Sequence, residues 1–432
     1  VPPAALAVHL SIGQAYAFST FNLPLTKLIG ITHSAPGDWK LTDVTWTFSI
    51  AIAILGLSAA VFGRWVERVG PRRSMFTSAL CFSGGFIVSA VGIHFHQLWL
   101  LYLGYGVLGG CGLGIGYISP VSTLIKWFPD RPGMATGLAI MGFGGGALIA
   151  APLSVMLMKH FETAVSNGVV ETFVTMGVIY FMFMMIGVYA VRVPAADWKP
   201  AGWVAPVKPP PLVTQAQVAV DAAWRTPQFW LLWGVLCMNV TAGIGVLGQA
   251  SPMIQEIFTG RVTAITAASF VGLISLFNMG GRIIWASISD YIGRRNTYMV
   301  FFGLGILLYA SVPTLGHMGS IPLFVAAFAI ILSMYGGGFA TIPAYLRDIF
   351  GTMHVGAIHG RLLTAWSVAG VLGPMLISYI REYQINNGVP KAQAYSVTMY
   401  IMCGLLFIGF LCNLRMRAVS ERYHYRAAAP AT

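Results

Sequence analysis

The stretch Gly63–Ser74 reads GRWVERVGPRRS, and Ala286–Thr297 reads ASISDYIGRRNT. Glu67 falls opposite Asp290, Gly70 opposite Gly293 and Arg72 opposite Arg295, each pair 223 positions apart. The same offset joins Gly114 to Gly337, Pro120 to Pro343, Gly133 to Gly356 and Gly137 to Gly360. A register kept over about 70 residues marks an internal duplication. The two halves of the chain therefore carry the same elements, in the same order and the same orientation.

What flanks each copy is apolar. Charged residues make up 9% of the 432 positions and hydrophobic ones 57%, and the mean hydropathy is +0.75. A water-soluble domain is nearer to about 25% charged. So few charges cannot cover a water-facing surface, and lipid must be the solvent for most of the chain. Stretches of the roughly 20 apolar residues that a spanning helix needs fall near 4–31, 42–65, 74–95, 98–127, 133–158, 172–192, 229–254, 261–289, 297–315, 321–346, 357–380 and 394–413. A membrane β-barrel would instead show short alternating segments with polar turns. The expected fold is an all-α integral membrane protein, with twelve transmembrane helices arranged as two parallel six-helix bundles. Residues 1–192 are expected to form the first bundle and 229–413 the second. Between them, 193–228 is Pro-rich and reads as a cytoplasmic linker of extended or partly disordered character, and 414–432 as a cytoplasmic tail.

Lysine and arginine placement sets the orientation. With the N-terminus inside, 17 of the 25 basic residues lie in turns and tail on the cytoplasmic side, and six on the other. The remaining two, Arg282 and Arg361, lie within or at the mouth of helices. Both termini are thus expected in the cytoplasm and the protein in the cell's inner (plasma) membrane. Topology and anionic headgroups account for the net charge of +12 without a nucleic acid partner. The five cysteines fall inside expected helices without metal-ligand spacing and read as packing residues. The first segment lacks a basic leader region and a small-residue cleavage site, so it is expected to stay as a helix. Fifty glycines, clustered at Gly104–Tyr117, Gly142–Pro152 and Tyr335–Pro343, suit either close helix packing or bending joints.

Parallel six-helix halves joined by a polar linker are the plan of the major facilitator superfamily. GRWVERVGPRRS resembles that superfamily's loop signature after helix two, Gly-x-x-x-Asp-x-x-Gly-Arg-Arg, with Glu67 in place of the usual Asp; the second copy keeps Asp290. Carboxylates favour helix N-termini and arginine pairs, and such contacts are made and broken as one bundle rocks on the other. Glu67, Arg72, Asp290 and Arg295 are therefore expected to gate.

All 13 acidic residues fall in loops or at helix ends. Against that background Arg282 stands alone in the eighth helix. It lies eight residues before Asp290, about 12 Å below the rim at 1.5 Å per residue. A charge there costs at least ~2.5–3.5 kcal/mol by insertion scales, and arginine cannot escape by losing its proton. It must meet water or an anion inside the bundle. A guanidinium is a flat two-pronged donor that matches a carboxylate. Asn278, one turn earlier on the same face, suits a hydroxyl or the second carboxylate oxygen. Tyr117, Tyr335, Phe339, Tyr16 and Trp366 lie at similar depth and are expected to wall the cavity, with Asn22 a further candidate. No catalytic cluster, cofactor or metal site is expected.

The stretches KWFPDRPGMATGLAIMGFGGG (Lys126–Gly146), RTPQFW (Arg225–Trp230) and YGGGFATIPAYLRDIFG (Tyr335–Gly351) resemble the oxalate/formate antiporter family, which is related to the monocarboxylate transporters and includes bacterial lactate carriers. That resemblance implies that Arg282 holds a substrate carboxylate and that Tyr117, Tyr335 and Phe339 line the site. It also exposes two departures. The oxalate carrier pairs its arginine with a lysine in helix eleven, where this chain has Trp366; one cation suits a monoanion, since a dianion would keep an uncompensated charge in low dielectric. Mammalian monocarboxylate carriers place an Asp four residues before the arginine, where this chain has Asn278, so the usual proton acceptor is missing. His9, within the first segment, reads as a packing residue. The expected function is secondary transport of small monocarboxylates (L-lactate, pyruvate or similar) by proton symport with alternating access. An anion exchanger of the oxalate/formate type, or a non-transporting carboxylate sensor on the same fold, is the alternative. The expected partners are the carboxylate, protons and the lipid bilayer, for a carrier working as a monomer and not an enzyme.

Overall fold

The computed structural model describes residues 1–31, 34–195, 197–200, 202, 212–262 and 264–425. Among them the only β-structure is two isolated bridges, Thr163 with Ser166 and Val218 with His424; the rest of the regular structure is helical. Among the described residues, ten helices are long and apolar enough to cross a membrane. One of them, Leu41–His94, has 54 residues and would be roughly 80 Å long if straight, far beyond a ~30 Å hydrocarbon core. It breaks at Gly70, whose φ of 77° lies in the left-handed region that glycine enters freely, and Pro71 follows. It is therefore the second and third spans. The repeat copy behaves alike: Gly293, with φ of 85°, separates Ala264–Ile292 from Arg294–His317.

The first span is not the continuous helix that 4–31 suggests. It runs as Pro2–Ile12, a 3-10 turn Gly13–Ala17, and Ser19–Leu25. A Cβ on Gly13 would collide with the Phe143 backbone of the fifth span, so glycine is what lets the two backbones approach there. Adding this span brings the crossings to twelve. The fourth is Leu98–Leu101, a π-helical stretch Tyr102–Gly109 and Gly110–Trp127. The fifth and sixth are Pro132–Phe161 and Val169–Ala190. The seventh is Pro227–Ile257, the tenth Ile321–Phe350, and the twelfth Ser396–Leu414. The eleventh divides at Leu363 into Val355–Leu362 and Thr364–Asn386.

The halves meet where the second span packs on the eleventh and the fifth on the eighth. The repeat governs these seams too. Gly137 backs onto the Arg282 carbonyl, and its mate Gly360 backs onto the carbonyl of Ala59, which is the mate of Arg282.

Among the described residues, part of the connection between halves docks on the second half. Thr214 and Val218 donate to the carbonyls of Asp348 and Phe350 at 2.7 and 3.0 Å, and Tyr425 of the tail donates to Gln217 O at 2.7 Å. A short helix, Val220–Trp224, presents Asp221 to both Arg64 and Arg361. Residues 203–211 of the expected linker and 426–432 of the tail lie outside the described residues. The five cysteines are free thiols.

Candidate functional site

Arg282 is fully buried and lies between the halves. Its Nε donates to Asn278 Oδ1 at 3.3 Å, one helical turn back, and its Nη1 donates to the Ile140 carbonyl of the fifth span at 3.4 Å. Its Nη2 has no partner, and no carboxylate pairs with it among the described residues. The guanidinium carbon stands 5.5 Å from the Phe339 ring centre and 5.9 Å from that of Phe143, within cation–π reach. A buried arginine without a counter-ion is costly. The rings and the one carbonyl offset only part of that.

The aromatic residues form one cluster. Trp366 lies 4.5 Å from Phe339, 5.4 Å from Tyr117 and 5.5 Å from Phe143, ring centre to ring centre. Tyr16 meets Phe143 edge-on at 4.9 Å, and Tyr335 meets Phe339 edge-on at 5.3 Å. The indole nitrogen of Trp366 is buried without a partner, and the hydroxyls of Tyr16, Tyr117 and Tyr335 make no hydrogen bond of ordinary geometry, although Tyr16 and Tyr117 face the Arg282 guanidinium and Tyr16 faces Tyr335. Each is able to donate a hydrogen bond, and native proteins rarely leave such groups unpaired. With Arg282 Nη2 they make one dry cluster of polar groups whose hydrogen-bonding capacity is not filled.

The structure thus brings together Arg282, Asn278, Tyr16, Tyr117, Tyr335, Phe339 and Trp366. Asn22 lies on the segment beyond the 3-10 turn, and its Oδ1 is buried but bonded to nothing in the cluster. Phe143 escaped the sequence reading. The signal was present, because the repeat offset maps Phe143 onto Trp366, so each half supplies one ring at the same register. His359 also escaped, because it lies at the start of the eleventh span; it is buried with its ring 5.9 Å from that of Tyr117.

At the end that carries the motif loops, Asp290 accepts from the backbone N–H groups of Gly133 and Met134, both at 2.9 Å. Glu67 accepts from the N–H of Gly356 at 2.9 Å and pairs with Lys126 at 3.0 Å. Both carboxylates thus sit at helix N-termini of the other half, where unpaired amides and the helix dipole favour an anion. The arginines differ from the sequence expectation. Arg294 pairs with Asp290 and with Asp348, whereas Arg295 donates to the Leu414 carbonyl at 2.6 Å. Arg72 is exposed and makes no ion pair among the described residues.

A membrane protein of twelve crossings, with two repeated halves meeting at a buried arginine, has the plan of a secondary transporter built from parallel repeats. Residues 4–374 match the Major Facilitator Superfamily model, and the chain belongs to that superfamily. It is 28% identical over 374 residues to the oxalate:formate antiporter of Oxalobacter formigenes, covering 86% of this chain and 81% of that one. It is 24% identical over 381 residues to monocarboxylate transporter 11 of Homo sapiens, covering 85% and 76%. The solved structure of a proton:xylose symporter superposes with a TM-score of 0.70 at 13% identity, covering 96% of this chain and 94% of that one. The protein is therefore a transporter of this superfamily, with relatives among oxalate/formate and monocarboxylate carriers.

Proposed function

We propose that the chain carries small monocarboxylates, such as L-lactate or pyruvate, together with a proton by alternating access. The observation that carries this reading is a buried arginine with no carboxylate partner, surrounded by four polar groups whose hydrogen bonding is not filled. A carboxylate on Arg282 Nη2 and a tyrosine hydroxyl would use those donors and neutralise the guanidinium. Asn278 fixes the guanidinium plane through Nε, and the rings exclude water. One cation matches one negative charge, and Trp366 supplies a ring where the resemblance to oxalate carriers calls for a lysine. In this reading 1–192 and 229–413 rock as two bodies in the plasma membrane, joined by 193–228, with both termini cytoplasmic. Glu67 and Asp290, with their cationic neighbours, hold the cytoplasmic end shut.

Exchange of one anion for another is the second reading, favoured by the likeness to the oxalate:formate antiporter. The test is uptake of radiolabelled L-lactate into proteoliposomes at about pH 6 and about pH 8, with Arg282→Ala alongside. Saturable uptake that rises at the lower pH and vanishes in the variant is expected. Uptake that appears only after preloading with oxalate or formate would establish exchange instead, and uptake indifferent to Arg282 would remove the site.

A further inference from the structure

His359 is 1% exposed, and its Nε2 is buried with no hydrogen-bond partner. Its ring stands 5.9 Å from that of Tyr117, and His9 of the first span lies 5.3 Å from the same tyrosine ring on the opposite half. His359 also sits between two working parts of one helix. Gly356, which donates to Glu67, precedes it by three residues, and Trp366 of the aromatic cluster follows it by seven. At 1.5 Å per residue these are axial steps of about 4.5 Å and about 10 Å. His354, at the helix N-cap beside the loop end, is one further step out.

We propose that the His359 imidazole is the proton-carrying group of the symport, a proposal that rests on the function argued above. Its Nε2 lone pair takes a proton to become N–H and releases it after the carrier has rocked, with no bond of the substrate broken. The elements packed around it supply Arg64 and Glu67 from the second span, Tyr117 and Lys126 from the fourth, Tyr335, Arg347 and Asp348 from the tenth, and Asp221 from the linker helix. The seventh span's acid, Glu256, is at its far end. On its own helix are His354 and Arg361, the latter turned to Asp221. His9 and Arg282 are the cationic or potentially cationic groups of the interior.

The coupling follows from charge. With no substrate bound, a proton on His359 would place a second positive charge in the dry interior that already holds Arg282. A carboxylate on Arg282 removes that conflict, so the anion raises the affinity for the proton, and by linkage the proton raises the affinity for the anion. The loaded interior then has the same net charge as the empty one. Both therefore close at similar electrostatic cost, and the proton does not cross alone.

The test uses the full chain in proteoliposomes with a trapped pH dye, comparing wild type with His359→Gln and His359→Asn. Two readings are taken: proton entry driven by an L-lactate gradient, and counterflow of labelled against unlabelled lactate. Counterflow needs binding and rocking but no net proton release. Both variants are expected to keep counterflow within about threefold and to lose lactate-driven proton entry by at least about tenfold. Proton entry as in wild type, with counterflow intact, would overturn the role of His359 and leave the symport reading standing. Loss of counterflow in both variants would also overturn it, because the imidazole would then serve binding or folding. A wild-type protein that exchanges lactate but admits no protons with it would overturn the symport reading, and this proposal with it.

Discussion

Glu67 Oε1 accepts the backbone N–H of Gly356 at 2.9 Å, and the contact recurs 223 residues on, where Asp290 Oδ1 accepts the N–H of Gly133 at 2.9 Å. In each case the acid belongs to one half and the glycine to the other. The duplication has thus been used twice across the same seam. Each carboxylate satisfies amides that have no partner within their own helix, and each lies at the positive end of a helix dipole. The glycines are required sterically: a Cβ on Gly356 would collide with Glu67 Oε1, and one on Gly133 with the Ala286 carbonyl.

Asp290→Asn should weaken closure of the loop end. The amide keeps the side chain's shape but loses the charge that makes bonds to an ionised acceptor worth about 1.5–3 kcal/mol. Spin labels placed at Asp130 and Thr352 should show a longer distance in the variant, and Gly133→Ala should lengthen it further. An unchanged distance in both would mean that packing along the seam, rather than this contact, holds the end shut.

The acid of the linker helix gives a prediction about pH. Hydrogen bonds from Arg64 and Arg361 hold the Asp221 carboxyl below the usual carboxylate range. Its contribution is therefore present above the unfolded value, near about 3.9, and is lost as pH falls through the still lower folded value. Asp221 therefore keeps its charge between about pH 6 and about pH 8. Asp221→Asn should thus leave the shape of the uptake profile over that window unaltered, read as the ratio of initial rates at its two ends. A changed ratio would show that the linker contact takes part in coupling.

The sequence displays what is local or repeated. The span count follows from apolar length, Gly70 and Gly293 from the motif copies, and Arg282 from its isolation among apolar neighbours. Contacts between halves are less visible. Lys126, rather than Arg72, pairs with Glu67 because the second and fourth spans end side by side, which no local pattern states. Arg294, rather than its neighbour Arg295, reaches Asp290 because it lies one turn on, across the Gly293 break. His359 lies only two residues into the eleventh stretch as read from sequence, so nothing local marked it as facing the interior, and the 3-10 turn in the first span was hidden by a run of residues that are apolar whether or not the helix is continuous.

Trp366→Lys would add a second cation beside Arg282, since the indole is in contact with Phe339, which itself lies 5.5 Å from the guanidinium. Two positive charges in a dry interior favour a dianion and penalise a monoanion, which leaves one charge unmatched. The variant should lose lactate uptake by at least about tenfold and gain inhibition of binding by oxalate, measured by competition against labelled lactate. If lactate uptake is kept and oxalate remains inert, the charge of this position does not set selectivity.

Arg282→Lys separates charge from geometry at the centre of the site. Lysine keeps the positive charge but loses the fork that bonds Asn278 and Ile140 while leaving Nη2 open, and its ammonium is more strongly hydrated. If the site needs only a cation, KM should rise modestly and maximal rate should hold. If it needs a planar donor held by Asn278, KM should rise by at least about tenfold, as truncating a buried charged hydrogen bond costs ~2–5 kcal/mol. The arrangement favours the second outcome, and Asn278→Ala should reproduce a milder form of it, because the guanidinium would keep its charge but lose its fixed plane. Saturation kinetics of lactate uptake for the three variants, Arg282→Lys, Arg282→Ala and Asn278→Ala, decide the matter. An Asn278→Ala protein with an unchanged KM would leave the arginine acting alone.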